Sequence, residues 1–211
     1  MENKTEKIRK RYNRAAGFFD MTEKMMEGGK MGEWRKMIWE EAKGKVLEVG
    51  VGTGKNIQYY PKDAEIIAID FSEKMLERAR HKVEKLGRKV DLRLMDVQKL
   101  DFPDETFDTV MTTCVFCSVP DPVKGLGEIR RVCKKDGKII MLEHVRSKKP
   151  FIGFFMDILN PVVVRIVGAN INRNTVDNLE KAGLTVELET NLMMDIVKHL
   201  KCSRDGTGKV T

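Results

Sequence analysis

The run Lys45-Val46-Leu47-Glu48-Val49-Gly50-Val51-Gly52-Thr53-Gly54 limits the fold of this chain more than any other stretch. Val46 to Val49 read as a buried strand, which breaks at once into a turn with glycine at every second place. Glycine adopts backbone conformations closed to other residues and lets a ligand come close to the main chain. A strand that ends in such a turn and then opens a helix is a nucleotide-cradling device. The spacing departs from the dinucleotide pattern Gly-x-Gly-x-x-Gly. The third glycine comes one place early, at Gly54, and position 55 is Lys. Glu48 lies two places before the first glycine. A tight strand-to-helix turn with no ligand is the competing reading of the same residues.

The segments that follow alternate between strand and helix. A strand at Val46–Val49 is expected to lead into a helix near Asn56–Tyr60, closed by Pro61. A strand at Glu65–Asp70 precedes a helix at Ser72–Leu86, capped by Ser72 and stopped by Gly87. The apolar stripe of that helix, Met75, Leu76, Ala79, Val83 and Leu86, has the period of a helix packed on a sheet. Strands are then predicted at Val90–Val97 and Phe107–Thr113. Asp121-Pro122 caps a helix over 122–134, and Asp136-Gly137 turns into a strand at Lys138–Val145. A helix opened by Asn174 or Thr175 and closed by Gly183 leads to strands at Thr185–Thr190 and Met194–Leu200. Such alternation predicts an α/β fold with an open, mainly parallel sheet and helices on both faces.

Ahead of this core, residues 4–26 carry Ile8, Tyr12, Ala15, Ala16 and Phe19 at helical spacing among basic residues. Gly17 and Gly28-Gly29 divide them into two short helices. A further helix, Glu33 to Ala42, turns Trp34, Met37 and Ile38 toward a core. The expected organisation is an N-terminal helical cap (1–44), a core (45–201) and a flexible polar tail (202–211). The segment Phe151–Val167, part of an apolar insert at 150–168, departs from the rhythm. It is too short, and too broken by Asp157, Pro161 and Arg165, to cross a bilayer. A buried packing helix and a lid over an apolar substrate that touches a membrane surface are its two readings.

With 211 residues the chain suits one domain with a full core of its own. The net charge of +7 favours anionic partners, and residues 1–14 hold six Lys or Arg against two Glu. Four cysteines make no disulfide framework at this size, and Cys114-x-x-Cys117 has no second pair or His at a metal-binding interval. No metal is expected. The start of the chain lacks the apolar core of a signal peptide, which predicts a cytoplasmic protein.

In a doubly wound sheet the ligand lies at the carboxyl ends of the strands. The first strand ends at Gly50, Gly52 and Gly54. The second ends at Asp70, placed to accept hydrogen bonds from ribose hydroxyls, with Phe71 and Met75 beside it to pack on a purine. The third ends at Asp96-Val97, where a carboxylate suits an adenine amino group. The fourth ends at Thr113-Cys114. Each feature alone also fits a turn or a cap.

Residues 45–145 resemble the core of the class I S-adenosylmethionine (SAM) methyltransferases. The resemblance rests on Glu48-x-Gly50-x-Gly52-x-Gly54, Ile67-Ala68-Ile69-Asp70-Phe71-Ser72, Met95-Asp96-Val97-Gln98 and Phe107-Asp108-Thr109-Val110. It implies a Rossmann-like sheet of seven strands, the last antiparallel. It also implies S-adenosyl-L-methionine as cofactor, held by the loop after Gly50, by Asp70 at the ribose and by Asp96 at the adenine. SAM has no phosphate, which fits the departure from the dinucleotide spacing. A nicotinamide enzyme would need a substrate region and hydride-transfer residues that do not stand out.

Cys117-Ser118-Val119-Pro120-Asp121-Pro122, Glu128-Ile129-Arg130-Arg131-Val132 and Glu143-His144-Val145 resemble a narrower branch. That branch holds bacterial phosphatidylethanolamine N-methyltransferases, quinone-biosynthesis C-methyltransferases and membrane-associated alkyl-thiol methyltransferases. Its members act on lipids or lipophilic acceptors and open with a helix that caps SAM. Arg11 to Asp20 resemble that opening, and Tyr12 matches a residue that closes over the cofactor. Phe19-Asp20 stands where relatives often have Tyr-Asp.

The implied activity is methyl transfer to a phospholipid head-group amine, with a quinone-ring carbon and an alkyl thiol as alternatives. Glu143 and His144, at the end of the fifth strand, are the candidate catalytic groups. The basic start and the apolar insert imply peripheral contact with an anionic membrane. A SAM-binding regulatory module is the reading from another class. An RNA or protein methyltransferase is disfavoured, since the basic residues lack interleaved stacking aromatics.

Overall fold

The structure is a computed structural model, and it describes residues 5–14, 29–166 and 168–204. Helix α1 covers residues 5–14 and α2 covers Lys30–Trp39. The core then runs β1 (Lys45–Val49), β2 (Glu65–Asp70), α3 (Glu73–Lys85), β3 (Asp91–Leu94), β4 (Phe107–Thr113), α4 (Pro122–Val132) and β5 (Cys133–His144). It ends with α5 (Pro150–Ile166), α6 (Thr175–Lys181), β6 (Thr185–Met193) and β7 (Val197–Ser203). Among the described residues the strands form one seven-stranded sheet of order β3-β2-β1-β4-β5-β7-β6. Strands β1 to β5 pair in parallel, and β7 runs antiparallel to both of its neighbours.

Alternation along the strands splits the core into two layers. Leu47, Val49, Ile67, Ile69, Val110, Ile139 and Met141 point to α4 and α6, where they meet Leu126, Ile129, Val132 and Leu179. Val46, Ile66, Ala68, Met111, Ile140 and Leu142 point to α2 and α3, where they meet Ile38, Trp39, Leu76 and Ala79. Ser72 caps α3 by accepting from Met75 N at 3.3 Å, and Asp121 caps α4 by accepting from Lys124 N at 3.0 Å.

Several predicted bounds move, each for a physical reason. The helix near Asn56–Tyr60 is a single tight turn, Ile57–Tyr59, because Pro61 leaves it no room to grow. Strand β3 stops at Leu94, opposite Asp70, where its only partner ends. As a result Asp96 and Val97 lie in a loop. Helix α2 starts and ends three residues early, so Trp39 is buried while Met37 is exposed. Helix α4 stops at Val132, and β5 begins at Cys133, interrupted by a register shift before Lys138.

Strand β7 begins at Val197 rather than Met194. The turn before it, Met194-Asp195-Ile196, has no glycine or proline, and Met194 takes φ +51°. Asp195 ties this turn to the segment after β5 by accepting from Ser147 Oγ at 2.8 Å and Lys148 N at 2.7 Å. The strand continues through Cys202 and Ser203, both buried, so the predicted tail starts too early. Residues 205–211 lie outside the described residues. So do Gly17, Phe19, Asp20 and the rest of 15–28.

The largest difference concerns the apolar insert. It is one helix, α5, but of its residues only Gly153 and Met156 are buried. The buried-packing reading is therefore wrong.

Candidate functional site

The strand order reverses between β1 and β4, and the crevice there opens at the carboxyl ends of the strands. It holds a cavity of about 290 Å³. Gly50, Gly52, Asp70, Phe71, Met75, Asp96, Val97, Thr113, Cys114 and Tyr12 all line it. These ten are the sequence-predicted residues that the fold brings together. The loop after β1 takes positive φ at Gly50, Gly52 and Gly54, at +71°, +56° and +85°. A Cβ on Gly50 would lie 2.6 Å from Val115 Cγ2, and one on Gly54 would lie 2.5 Å from Ile57 Cδ1. A Cβ on Gly52 would meet nothing within 4 Å. Gly54 is therefore needed for packing, whereas Gly52 keeps open the space that a ligand would fill.

Asp70 accepts from two backbone donors, Gly52 N at 2.9 Å and Ser72 N at 2.8 Å. It thereby ties the glycine loop to the cap of α3. Burial lifts its carboxyl to about 6 against the pull of those donors. Asp96 is gripped by Gln98, whose backbone N donates at 2.9 Å and whose Nε2 reaches both carboxylate oxygens.

Four predicted residues do not line the cavity. Gly54 is one. Glu48 lies on the α2/α3 side of β1, fully buried, where it accepts from Asn56 Nδ2 at 2.5 Å and from the Tyr60 hydroxyl. Burial raises its carboxyl to about 8. Glu143 is also completely buried. It accepts from Thr112 Oγ1 at 2.7 Å, Val115 N at 3.1 Å and Phe116 N at 3.2 Å. It braces the turn after β4, in which Cys114 has φ +55°, rather than facing an acceptor. His144 is half-buried at the end of β5, and burial lowers its pKa. The structure therefore corrects the placement of Glu48, Glu143 and His144 at the ligand.

Sequence reasoning missed Arg35 and Asn56, both in the cavity wall. Asn56 Nδ2 donates to Glu48 and, at 3.2 Å, to Thr113 Oγ1, which leaves Asn56 Oδ1 to accept from Arg35 Nη1 at 2.7 Å. Arg35 and Met31 are four residues apart on α2, and both reach the cavity. That helical spacing was the available signal.

Helix α1 closes one side of the cavity. The Tyr12 hydroxyl bonds Ser118 Oγ, and its ring meets Phe71 edge-on at 5.6 Å. Ser72 Oγ donates to Asn13 Oδ1 at 2.6 Å, and Gln98 Nε2 donates to Thr5 Oγ1 at 3.2 Å. Burial first, and nearby Cys117 second, push the Tyr12 hydroxyl far above its ordinary range, so it stays protonated. Burial likewise holds Cys114 as a thiol, at about 11.

Residues 47–141 match a family model described as a methyltransferase domain. Phosphatidylethanolamine N-methyltransferase of Cereibacter sphaeroides is 47% identical over 110 residues, which is 51% of this chain and 54% of that enzyme. The chain thus matches about half the length of that relative. Ubiquinone/menaquinone biosynthesis C-methyltransferase UbiE of Desulfotalea psychrophila is 30% identical over 175 residues, 77% of this chain and 70% of that enzyme. A SAM-dependent methyltransferase from Aquifex aeolicus shares the fold. Its structure superposes with a TM-score of 0.59 at 23% identity, over 80% of this chain and 88% of that one. The glycine loop, the strand-end carboxylates and these relatives agree: the chain belongs to the SAM-dependent methyltransferases and uses S-adenosyl-L-methionine.

Proposed function

We propose that this methyltransferase acts on a lipophilic acceptor, with a phospholipid head-group amine as the leading substrate. The observation that carries this reading is the setting of the cavity. Its wall at 118–120 adjoins Cys117, whose carbonyl accepts from Asn170 N at 2.8 Å and Asn170 Nδ2 at 2.9 Å. Asn170 in turn accepts from Asn160 of α5, a helix whose exposed side chains are mostly apolar. An apolar surface thus lies within a few residues of the site. The relative named for phosphatidylethanolamine supports an amine acceptor. The relative named for quinones, which matches more of the chain, supports a ring-carbon acceptor as the second reading.

The cavity fits the cofactor. In this reading the open space at Gly52 takes the amino acid part, and Arg35, held by Asn56, pairs with its carboxylate. Asp70 accepts from the ribose hydroxyls in the same reading. Phe71, Met75 and Val97 offer an apolar slot for the purine, with Asp96 at its amino group. Bound SAM supplies a methyl group on a sulfonium, open to in-line displacement. The chain contributes alignment and exclusion of water, and well-oriented groups of this kind can reach effective molarities of about 10⁵ M. Tyr12 and Cys114 stay neutral and give the wall no charge that would hold an amine protonated. No proton is assigned to Glu143 or His144, since neither reaches the cavity.

Transfer of labelled methyl from SAM to phosphatidylethanolamine, a demethylated quinone and an alkyl thiol tests the reading. Label in the phospholipid is expected. Label in the quinone alone would establish the second reading, and label in neither lipid would overturn both.

A further inference from the structure

The cavity wall around Ser118 is held from behind. Ser118 lines the cavity and bonds the Tyr12 hydroxyl, which latches α1 to the loop after β4. Within its own turn Ser118 N donates to Val115 O at 2.9 Å. The two carbonyls that flank Ser118 are both taken by the connection between α5 and α6. Cys117 O accepts twice from Asn170, from its backbone N at 2.8 Å and its Nδ2 at 2.9 Å. Val119 O accepts from Arg173 Nη2 at 2.8 Å. Asn170 and Arg173 stand behind the wall rather than in it.

The connection is itself pinned. Asn160 Nδ2 of α5 donates to Asn170 Oδ1 at 3.2 Å, which leaves Asn170 Nδ2 turned to Cys117. Asn160 Oδ1 accepts from Ile171 N at 2.9 Å. Asn172 Nδ2 donates to Asp157 at 3.0 Å, Asp157 pairs with Arg146 at 2.8 Å, and Arg146 N donates to Arg173 O at 2.9 Å. The same segment meets the other half of the latch. A Cβ on Gly168 would lie 3.5 Å from Tyr12 Cε2, and Arg11 Nη1 donates to Val164 O at 3.0 Å.

Arg173 holds its carbonyl at a cost in stability. Its Nε is buried and makes no hydrogen bond among the described residues, and a buried donor without a partner destabilises a fold. Burial also disfavours the charge of the guanidinium and lowers its pKa. What the group gives in return is the bond to Val119 O.

From these contacts we propose that Asn170 and Arg173 are positioning residues for the cofactor. By fixing the carbonyls on either side of Ser118 they aim its hydroxyl at Tyr12 and keep α1 closed over bound SAM. They act through Ser118 rather than by contact with the ligand. When the wall is misaligned the latch is lost, and SAM leaves sooner while its entry is little changed.

Stopped-flow displacement of SAM from the full-length protein reads this role without any acceptor, so the result is independent of which substrate is methylated. Asn170→Asp keeps the shape of the side chain but sets an oxygen against Cys117 O. SAM is expected to leave this variant about fivefold faster, the scale of one hydrogen bond. Its association rate should stay within about twofold of wild type. Arg173→Met should release SAM comparably fast and keep the ligand-free melting temperature, because it also removes the unpartnered donor. Arg173→Lys, whose ammonium can still donate to Val119 O, should restore most of the retention. In the Tyr12→Phe background the bond to Ser118 is already gone, so neither Asn170→Asp nor Arg173→Met should speed release by more than about twofold further. Effects that multiply with Tyr12→Phe would overturn the proposal, because the two residues would then act without the latch. Release at the wild-type rate from both single variants would also overturn it, as would Arg173→Lys releasing SAM as fast as Arg173→Met. Should Asn170→Asp fail to fold, the cycle of Arg173→Met with Tyr12→Phe decides alone.

Discussion

Asp70 and Arg35 show how single residues set the charge of the site. Burial keeps Asp70 at about 6, although two backbone N–H groups favour its ionised form. Its folded pKa lies above the ordinary 3.8, so its contribution to stability is full below that value and is lost as pH rises through 6. Glu48 acts in the same direction between 4.5 and about 8. Glu143, raised by burial to about 7, does the same, whereas the lowered His144 and His199 work the other way only up to their ordinary 6.5, so the ligand-free protein is expected to melt at falling temperature from about pH 6.5 to about pH 8. SAM is cationic at its sulfonium and binds better to the ionised carboxylate, so its affinity should rise with pH through 6. Calorimetry in buffers of different ionisation enthalpy should detect protons released on binding, and Asp70→Asn should bind weakly with a flatter pH profile. Pairing Arg35 with the SAM carboxylate predicts that Arg35→Met loses about tenfold in affinity for SAM, the scale of a charge-assisted hydrogen bond. The same variant should bind methylthioadenosine, which has no carboxylate, as wild type does. Equal losses for both ligands would remove Arg35 from that role.

Among elements, the turn after β4 depends on a neighbour from β5. Glu143 accepts two of its backbone N–H groups, and Leu142 O accepts a third, from Cys114. Replacing Glu143 with Gln puts an amide donor against one of these donors. A buried donor left unpaired costs about 1–3 kcal/mol. In a chain of this size that lowers Tm by several degrees. SAM affinity should fall with it, because Cys114 and Val115 line the cavity, whereas His144→Ala should change neither by much. The sequence placed Glu143 at the right strand end but could not say which way it pointed. That depends on which face of β5 it occupies, and the run Ile139 to Leu142 is apolar on both faces, so its pattern shows no alternation to read. The glycine loop, β2, β4 and the caps at Ser72 and Asp121 were legible because each is fixed by local chemistry. Helix α5 was legible as an apolar segment, with burial and an exposed face both left open. Its apolar composition resembles a core, and only the polar anchors Asp157 and Asn160 reveal which side faces in.

At the scale of the molecule, the sheet and the cap divide the work. Neither core layer includes any residue of α1. That helix touches the loops after β2, β3 and β4 through Asn13, Thr5 and Tyr12 respectively, and of these Thr5 and Tyr12 line the cavity. Helix α1 is therefore expected to act on retention of the ligand rather than on folding of the sheet. Removing residues 1–14 should leave the melting temperature of the ligand-free protein within a few degrees of wild type. It should also shrink the upward shift that saturating SAM produces, because that shift follows the ratio of ligand concentration to Kd. Stopped-flow displacement should show SAM leaving the shortened protein faster, and Tyr12→Phe should reproduce a smaller part of the change by removing the bond to Ser118. If the shortened chain instead melts far below wild type without ligand, α1 is part of the core and its contacts with the three loops are structural. If it melts normally and holds SAM as tightly, the cavity is closed by the sheet loops alone, and the three hydrogen bonds serve only to park the basic helix beside α5.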